Sequence, residues 1–177
     1  IRSTNMPPPI PKDRLNQLLE ESLFKVLATM ARAKCELQSI EANSGKLAQT
    51  PEIKETSDSD AGLFAASVGF AGELNGVCYL FMSSEFAYYI SNKIIDTPID
   101  KLTVEAVIDV CGELANMFAG TFKNALADMG LPSTLTIPTV IQGKQMSIST
   151  AGTSLQSRYL LEVDGHPVYA DLLIAEN

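Results

Sequence analysis

The chain has 177 residues, of which 46% are hydrophobic, and its formal net charge is −8 at pH 7. This length supports one well-buried core and falls short of two typical domains. The negative charge disfavours non-specific attraction to phosphate backbones or anionic lipid, because both would repel the average surface. We therefore expect neither nucleic acid nor a membrane surface among its partners.

Cysteine content and apolar runs indicate the compartment. Cys35, Cys78 and Cys111 form an odd set without paired spacing, and each lies in an apolar stretch, where a reduced thiol acts as a small hydrophobe. No apolar run is as long as a transmembrane helix, and the first residues lack the basic and then apolar pattern of a signal peptide. We expect a soluble protein in the reducing cytoplasm.

The N-terminal third begins with a Pro-rich stretch. We expect residues 1–12 to form a flexible lead and residues 13–177 to form a single domain. Residues 13–32 repeat apolar side chains at helical spacing, which predicts a long amphipathic helix with Asp13 as its cap. Residues 49–62 are rich in Ser, Thr, Asp and Glu, which predicts a solvated loop.

The middle of the chain predicts a hairpin followed by a helix. Residues 63–72 and 75–83 alternate as strands do, and Asn75-Gly76 is a turn signal between them. Ser84 is then predicted to cap a helix that ends near Ile95.

A second long helix is predicted from about Thr103 to Met129, because Gly130 and Pro132 follow it and end the helical pattern. One side of this helix is predicted to face the core. Its residues are Val104, Val107, Cys111, Leu114, Ala115, Phe118, Phe122 and Leu126.

The C-terminal part turns to strands. Residues 134–142, 145–151, 157–163 and 166–175 are β-rich, and Asp164-Gly165 between the last two is a strong hairpin signal. The chain lacks the strict strand–helix–strand rhythm of a parallel sheet. We therefore predict an α+β fold in which long helices pack on an antiparallel sheet.

The second long helix presents polar residues opposite its core side. Asp109, Glu113 and Asn116 are four and then three positions apart, which places them within an arc of roughly 60°. Gly120 lies on the same line. Because Gly inside a helix costs about 1 kcal/mol relative to Ala, its presence suggests close approach by another surface.

A solvated helix face is the alternative interpretation of this line, and outward Asp, Glu and Asn are its usual residues. Two details favour a binding face. A helix selected only for solubility favours Lys, Arg and more Glu on its outer stripe, whereas this stripe also has Gly and Ala. Asn is also a mediocre residue inside a helix.

Asp109, Glu113 and Asn116, followed after 21 intervening residues by Pro138, resemble the signature of the CheC/CheX/FliY family of chemotaxis phosphatases. The resemblance extends to the stretches VGFAGELNGVCYLFMS, GELANMFAGTFKNAL and IPTVIQG. We find one copy of the motif, since no Asn lies three residues after Glu20 or Glu21 in the first helix. A CheX-like protein with a single site therefore fits better than a CheC-like protein with two.

The resemblance implies a CheC-like fold and a phosphatase that acts on the aspartyl phosphate of a CheY-type response regulator. It implies that Asn116 orients the attacking water and that Glu113 docks a Lys of the receiver. Asp109 and Gly120 would be docking contacts. No metal or cofactor is expected on this chain, because Mg²⁺ would belong to the receiver. A homodimer is also expected from the resemblance.

Two other functions remain open at this point. The chain could be a non-catalytic adaptor or scaffold that binds a receiver or a flagellar switch component, or an unrelated α+β domain in which the spacing is chance. The Glu113/Asn116 pair favours the enzyme, because an adaptor has no need of the amide. His166, the only histidine, is expected in a surface loop, so a hydrolase triad or a zinc site is poorly supported.

Overall fold

The computed structural model describes residues 10–43, 51–53, 62–144, 146 and 153–175. Its helices are α1 (Lys12–Met30), α2 (Ser84–Ile95) and α3 (Val104–Asp128), with a short 3-10 turn at Ile99–Lys101. Its strands are β1 (Cys35–Asn43), β2 (Leu63–Gly72), β3 (Gly76–Ser83), β4 (Ser133–Leu135), β5 (Thr139–Gly143), β6 (Thr153–Val163) and β7 (His166–Ala175). Within the described ranges, every helix is too short or too polar to cross a membrane.

The strands form one antiparallel sheet in the order β1-β6-β7-β3-β2-β4, and β5 also pairs with β2. Helices α1 and α3 pack against each other, and α3 lies on β2. Alternate residues of β2, such as Phe64 and Phe70, point into the core between sheet and helices. The predicted α+β fold with long helices on an antiparallel sheet is confirmed.

Helix α3 matches its prediction closely. Thr103 is its N-cap and accepts a hydrogen bond from the backbone N–H of Ala106 at 3.2 Å. The helix ends just before Gly130, whose φ of 83° suits glycine. All the residues predicted to face the core are buried except Val104, which is half-buried. The opposite face is therefore turned away from the core, as expected.

Two predicted helix caps are wrong. Asp13 lies inside the first turn of α1, where the carbonyl of Pro11 accepts from the N–H groups of Arg14 and Leu15 at 2.9 and 3.1 Å. The cap of α2 is Ser83, whose hydroxyl accepts from the N–H of Phe86 at 3.0 Å. The chain leaves β3 in an extended conformation at Ser83, so the cap lies one residue earlier than predicted.

The predicted strand at residues 134–142 is two short strands. Strand β4 pairs with Phe70–Gly72 of β2 and β5 pairs with Leu63–Ser67, so residues 136–138 leave the ladder. Pro138 has no N–H to donate at this point, which explains the interruption. The predictions for residues 49–62 and 145–151 lie largely outside the described residues.

The turn between β6 and β7 forms at Asp164-Gly165, as predicted. The Asp164 carboxylate accepts from Lys93 at 2.7 Å, from the Tyr89 hydroxyl at 2.8 Å and from the N–H of Lys34 at 2.8 Å. These bonds, with the Lys93 ammonium the largest influence, lower the pKa of Asp164 to about 2. The turn between β6 and β7 is thus bonded to α2 through Tyr89 and Lys93, and to the residue before β1 through Lys34.

Asp164→Asn is expected to lower the free energy of unfolding by about 1 to 2 kcal/mol at pH 7. Because the folded protein depresses the pKa of Asp164, its stabilising effect is complete above the ordinary pKa of 3.8 and is lost as the pH falls toward about 2. Asn tolerates the positive φ of 49° found at this position, so the backbone stays unstrained. Urea titrations of both proteins at several pH values should show the difference shrinking below pH 4. A difference that stayed constant with pH would contradict this account.

Candidate functional site on helix α3

The candidate site lies on the face of α3 turned away from the core. Glu113 and Asp109 are exposed and Asn116 is half-buried. Among the described residues, none of these three side chains makes a hydrogen bond or an ion pair. The carboxylate of Glu113 and the amide of Asn116 are therefore free to meet an incoming molecule.

Residues 135–140, which we call the crossing segment, run along one flank of this face. A Cβ atom placed on Gly112 would lie 3.7 Å from Cβ of Pro138 and 3.5 Å from Cγ2 of Val140. A Cβ atom placed on Gly120 would lie 3.9 Å from Cδ1 of Leu135. Gly112 and Gly120 are one turn before and one turn after Asn116. The crossing segment therefore passes Asn116.

Strand β2 holds the crossing segment in place. The N–H of Thr136 donates to the carbonyl of Gly69 at 2.8 Å, and the Thr136 hydroxyl accepts from the N–H of Gly69 at 2.9 Å. A Cβ atom on Gly69 would come within 3.0 Å of Cγ2 of Thr136, so glycine permits this close approach. These contacts fix the backbone just before Ile137 and Pro138.

The structure brings Pro138 to the same turn of α3 as Glu113 and Asn116, although 21 residues separate Asn116 from Pro138 in the sequence. It also identifies a neighbour of Gly120, which is Leu135 of the same chain. Gly120 remains half-buried and its docking role stays a prediction. Thr136 and Ile137 were not predicted as site residues, because their only signal in the sequence is a proline inside a predicted strand.

Other groups do not supply competing chemistry. Cys111 precedes Glu113 by two residues but faces the core, and burial raises the pKa of its thiol to about 12, so it is protonated at neutral pH. His166 was expected in a surface loop, and this prediction is wrong. It begins β7, with its ring 4.8 Å from the Tyr89 ring and 5.6 Å from the Phe86 ring. Within the described ranges, no cluster of His, Cys, Asp or Glu is arranged to hold a metal ion.

The arrangement is suited to positioning a reactant held by another molecule. An amide can accept a hydrogen bond from a water molecule and donate one to an oxyanion, whereas it cannot act as a base at neutral pH. A neighbouring carboxylate can form a charge-assisted contact with a cationic side chain. Both groups lie on a rigid helix of 25 residues, so their relative position is fixed.

Comparison with known proteins supports the family resemblance. A sequence model of the family described as "Chemotaxis phosphatase CheX" matches residues 64–160, which include α3 and Pro138. No curated protein matches the chain significantly. The matched range covers more than half of the 177 residues.

Solved structures share the fold. A chemotaxis protein CheX from Desulfovibrio desulfuricans is 19% identical, with a TM-score of 0.74 over 91% of this chain and 99% of that one. A CheC-like superfamily protein from a Shewanella species is 23% identical, with a TM-score of 0.72 over 90% and 96%. A CheX-CheY-BeF₃-Mg²⁺ complex from Borrelia burgdorferi matches at 22% identity and a TM-score of 0.69, over 92% and 98%.

The sequence match and the fold agree with the open Glu113/Asn116 face beside Pro138. The alternative of an unrelated α+β domain with a chance motif is thereby excluded. The chain belongs to the CheX family of chemotaxis phosphatases.

Proposed function

We propose that this protein removes the phosphoryl group from the aspartyl phosphate of a CheY-type response regulator. The observation that supports this most is the open Glu113/Asn116 pair on one turn of α3, beside Pro138 and without partners among the described residues. Membership of the CheX family supports it as well, and the related Borrelia burgdorferi CheX forms a complex with CheY, BeF₃ and Mg²⁺.

In the proposed reaction Asn116 acts by orientation. Its amide oxygen accepts a hydrogen bond from the attacking water, and its amide N–H donates to a phosphoryl oxygen, which holds the water in line with the leaving carboxylate oxygen. Phosphoryl transfer needs little covalent help once the reactants are aligned. Alignment alone can lower a barrier by several kcal/mol, up to about 7 to 11 in well-oriented systems.

Glu113 is proposed to dock the receiver through a charge-assisted contact with a Lys of the receiver. Asp109, one turn earlier and also exposed, is proposed to be a flanking contact. Mg²⁺ is proposed to be held by the receiver, and this chain to hold no metal. We also propose, from the family, that two copies of the chain form a homodimer in the cytoplasm.

Glu113→Gln is expected to raise KM for the phosphorylated receiver about tenfold and to lower kcat/KM by at least as much, because a charge-assisted contact contributes about 1.5 to 3 kcal/mol. The loss should shrink at high salt, since ions screen an exposed charge pair. Glu105→Gln removes another exposed carboxylate, from the first turn of the same helix, and is the control. Equal effects of the two substitutions on kcat/KM would show that Glu113 contributes only to the overall charge of the helix surface and makes no specific contact.

The function is tested by measuring release of inorganic phosphate from a panel of phosphorylated receiver domains mixed with this protein. Acceleration above the receiver's own rate of hydrolysis is the expected result for at least one receiver. Binding of a receiver with no acceleration would favour the adaptor alternative. Neither binding nor acceleration with any receiver of the panel would refute the proposal.

A further inference from the structure

Ile137 is the most solvent-exposed large hydrophobic residue described, at 86% exposure. It lies on the crossing segment between Thr136 and Pro138. An isolated exposed apolar residue is ordinary on a protein surface. The position and rigidity of Ile137 distinguish it from the other exposed isoleucines.

Ile137 lies nearly level with Asn116 along the helix axis. The crossing segment contacts α3 at Gly120 through Leu135 and at Gly112 through Pro138. These two glycines are about 12 Å apart along the helix, and residues 135 to 139 lie opposite residues 70 to 67 of β2, a span of about 10 Å. The crossing segment runs in the opposite direction to α3. Residue 137 therefore falls between the two glycines, close to the turn that holds Asn116.

The backbone that presents Ile137 is fixed on both sides. Thr136 exchanges two hydrogen bonds with Gly69 of β2, and Pro138 packs beside Gly112 with its φ restricted by the ring. Thr136 is directed toward β2, whereas Ile137 is directed into solvent. A pre-positioned side chain loses little conformational freedom when it binds, which favours a role in recognition.

We infer that Ile137 is an apolar docking residue that contacts the phosphorylated receiver beside the receiver's phosphorylation site. The inference rests on the proposed function, because Asn116 can reach the phosphoryl group only if the receiver covers this face of α3. The crossing segment flanks this face and Ile137 is its most exposed large apolar residue, so a receiver that covers the face is expected to contact Ile137 as well. Burial of Ile137 then adds an apolar contact to the charged contact made by Glu113.

The test compares Ile137→Ser with Ile137→Leu in two measurements on the full chain. The first is the Kd for a CheY-type receiver domain loaded with BeF₃⁻ and Mg²⁺, and the second is kcat and KM for phosphate release from the phosphorylated receiver. Ile137→Ser is expected to raise Kd and KM about tenfold or more, as loss of a buried isoleucine contact predicts, and to leave kcat within about twofold. Ile137→Leu should restore most of the affinity.

Two controls separate docking from other effects. Ile99→Ser removes a 50% exposed isoleucine from the 3-10 turn before α3 and should change neither Kd nor KM. The effect of Ile137→Ser should also persist at high salt, unlike that of Glu113→Gln, because an apolar contact is not screened by ions. Thermal unfolding of each variant should match the parental protein, since Ile137 is almost fully exposed.

The outcomes distinguish this inference from the proposed function. If the parental protein accelerates phosphate release but Ile137→Ser binds the receiver with the parental Kd, the inference is overturned and the function stands. If no receiver binds the parental protein, both the proposed function and the docking role of Ile137 are refuted. If Ile137→Ser instead changes the protein from dimer to monomer in sedimentation equilibrium, Ile137 belongs to an interface between copies and the inference is overturned.

Discussion

Asn116→Ala is expected to lower the rate of dephosphorylation of a phosphorylated receiver by about 100-fold or more, the usual scale for removal of a group that positions a reacting proton or water. A factor of 100 corresponds to about 2.7 kcal/mol of lost transition-state stabilisation. Asn116 contributes through the geometry of the attacking water, so the loss should appear in kcat. Asn116 is half-buried and its side chain makes no hydrogen bond with any described residue, so the fold should persist.

Asn124→Ala is the matched control for this substitution. Asn124 is an exposed asparagine two turns farther along α3, so its removal has the same chemical character and similar consequences for helix propensity. We expect phosphate release at the parental rate from Asn124→Ala. Binding of the BeF₃⁻-loaded receiver should be nearly unchanged in Asn116→Ala. A parental kcat for Asn116→Ala would show that water is oriented by another group.

The part of the site on α3 was predictable because it depends on local periodicity. A helix repeats every 3.6 residues, so the sequence alone places Asp109, Glu113 and Asn116 on one face and the apolar residues on the other. The predicted bounds near Thr103 and Gly130 agree with the structure, in which Thr103 is the N-cap and the helix ends just before Gly130. These interactions lie within a few residues of each other along the chain.

The rest of the site depends on contacts that are distant in sequence. Pro138 reaches Gly112 because β4 and β5 pair with two different parts of β2. No local sequence pattern determines that register. The same holds for Ile137. A continuous strand over residues 134–142 would have paired it with β2, whereas the interruption between β4 and β5 leaves it exposed. Helical periodicity was therefore enough to predict Asn116, whereas its neighbours Ile137 and Pro138 depend on the long-range strand register.

Strand β1 shows a second limit of sequence analysis, since no element was predicted at Cys35–Asn43. Residues 35–38 alternate apolar and polar side chains, but the alternation changes phase at Ser39 and Ile40, where the pairing with β6 has a register shift. It pairs only with β6, at the edge of the sheet among the described strands. An edge strand keeps much of its surface in solvent, so it needs fewer apolar residues than a central one.

The sheet face opposite the helices contains an ion pair that sequence patterns also did not reveal. Arg158 of β6 and Asp171 of β7 are directly opposite in the register. Arg158 donates from Nε to Oδ1 at 2.8 Å and from Nη2 to Oδ2 at 2.7 Å. Only 14% of the Arg158 side chain and 3% of the Asp171 side chain are exposed. The pair is therefore a buried, two-pronged contact between neighbouring strands.

Asp171→Ala is expected to lower the free energy of unfolding by about 3 to 5 kcal/mol, because it removes the two-pronged carboxylate partner of a largely buried guanidinium. For a domain of this size the melting temperature should fall by about 10 °C. The double variant Arg158→Met/Asp171→Val should recover most of the stability, since apolar residues of similar volume replace a buried pair at little cost. Asp100→Ala, at an exposed position of the 3-10 turn, is the control and should change stability by less than about 0.5 kcal/mol.

Thermal and urea unfolding of these variants should be paired with the phosphate-release assay at a temperature where all are folded. The Arg158–Asp171 pair is on the sheet face away from α3, since Leu172 next to Asp171 is in the core beneath the helices. The double variant should therefore keep the parental kcat, whereas Asn116→Ala should lose activity without losing stability. A destabilisation by Asp171→Ala no larger than that of Asp100→Ala would show that the pair is not buried in solution. A loss of kcat in the stable double variant would show that the two faces of the sheet are coupled.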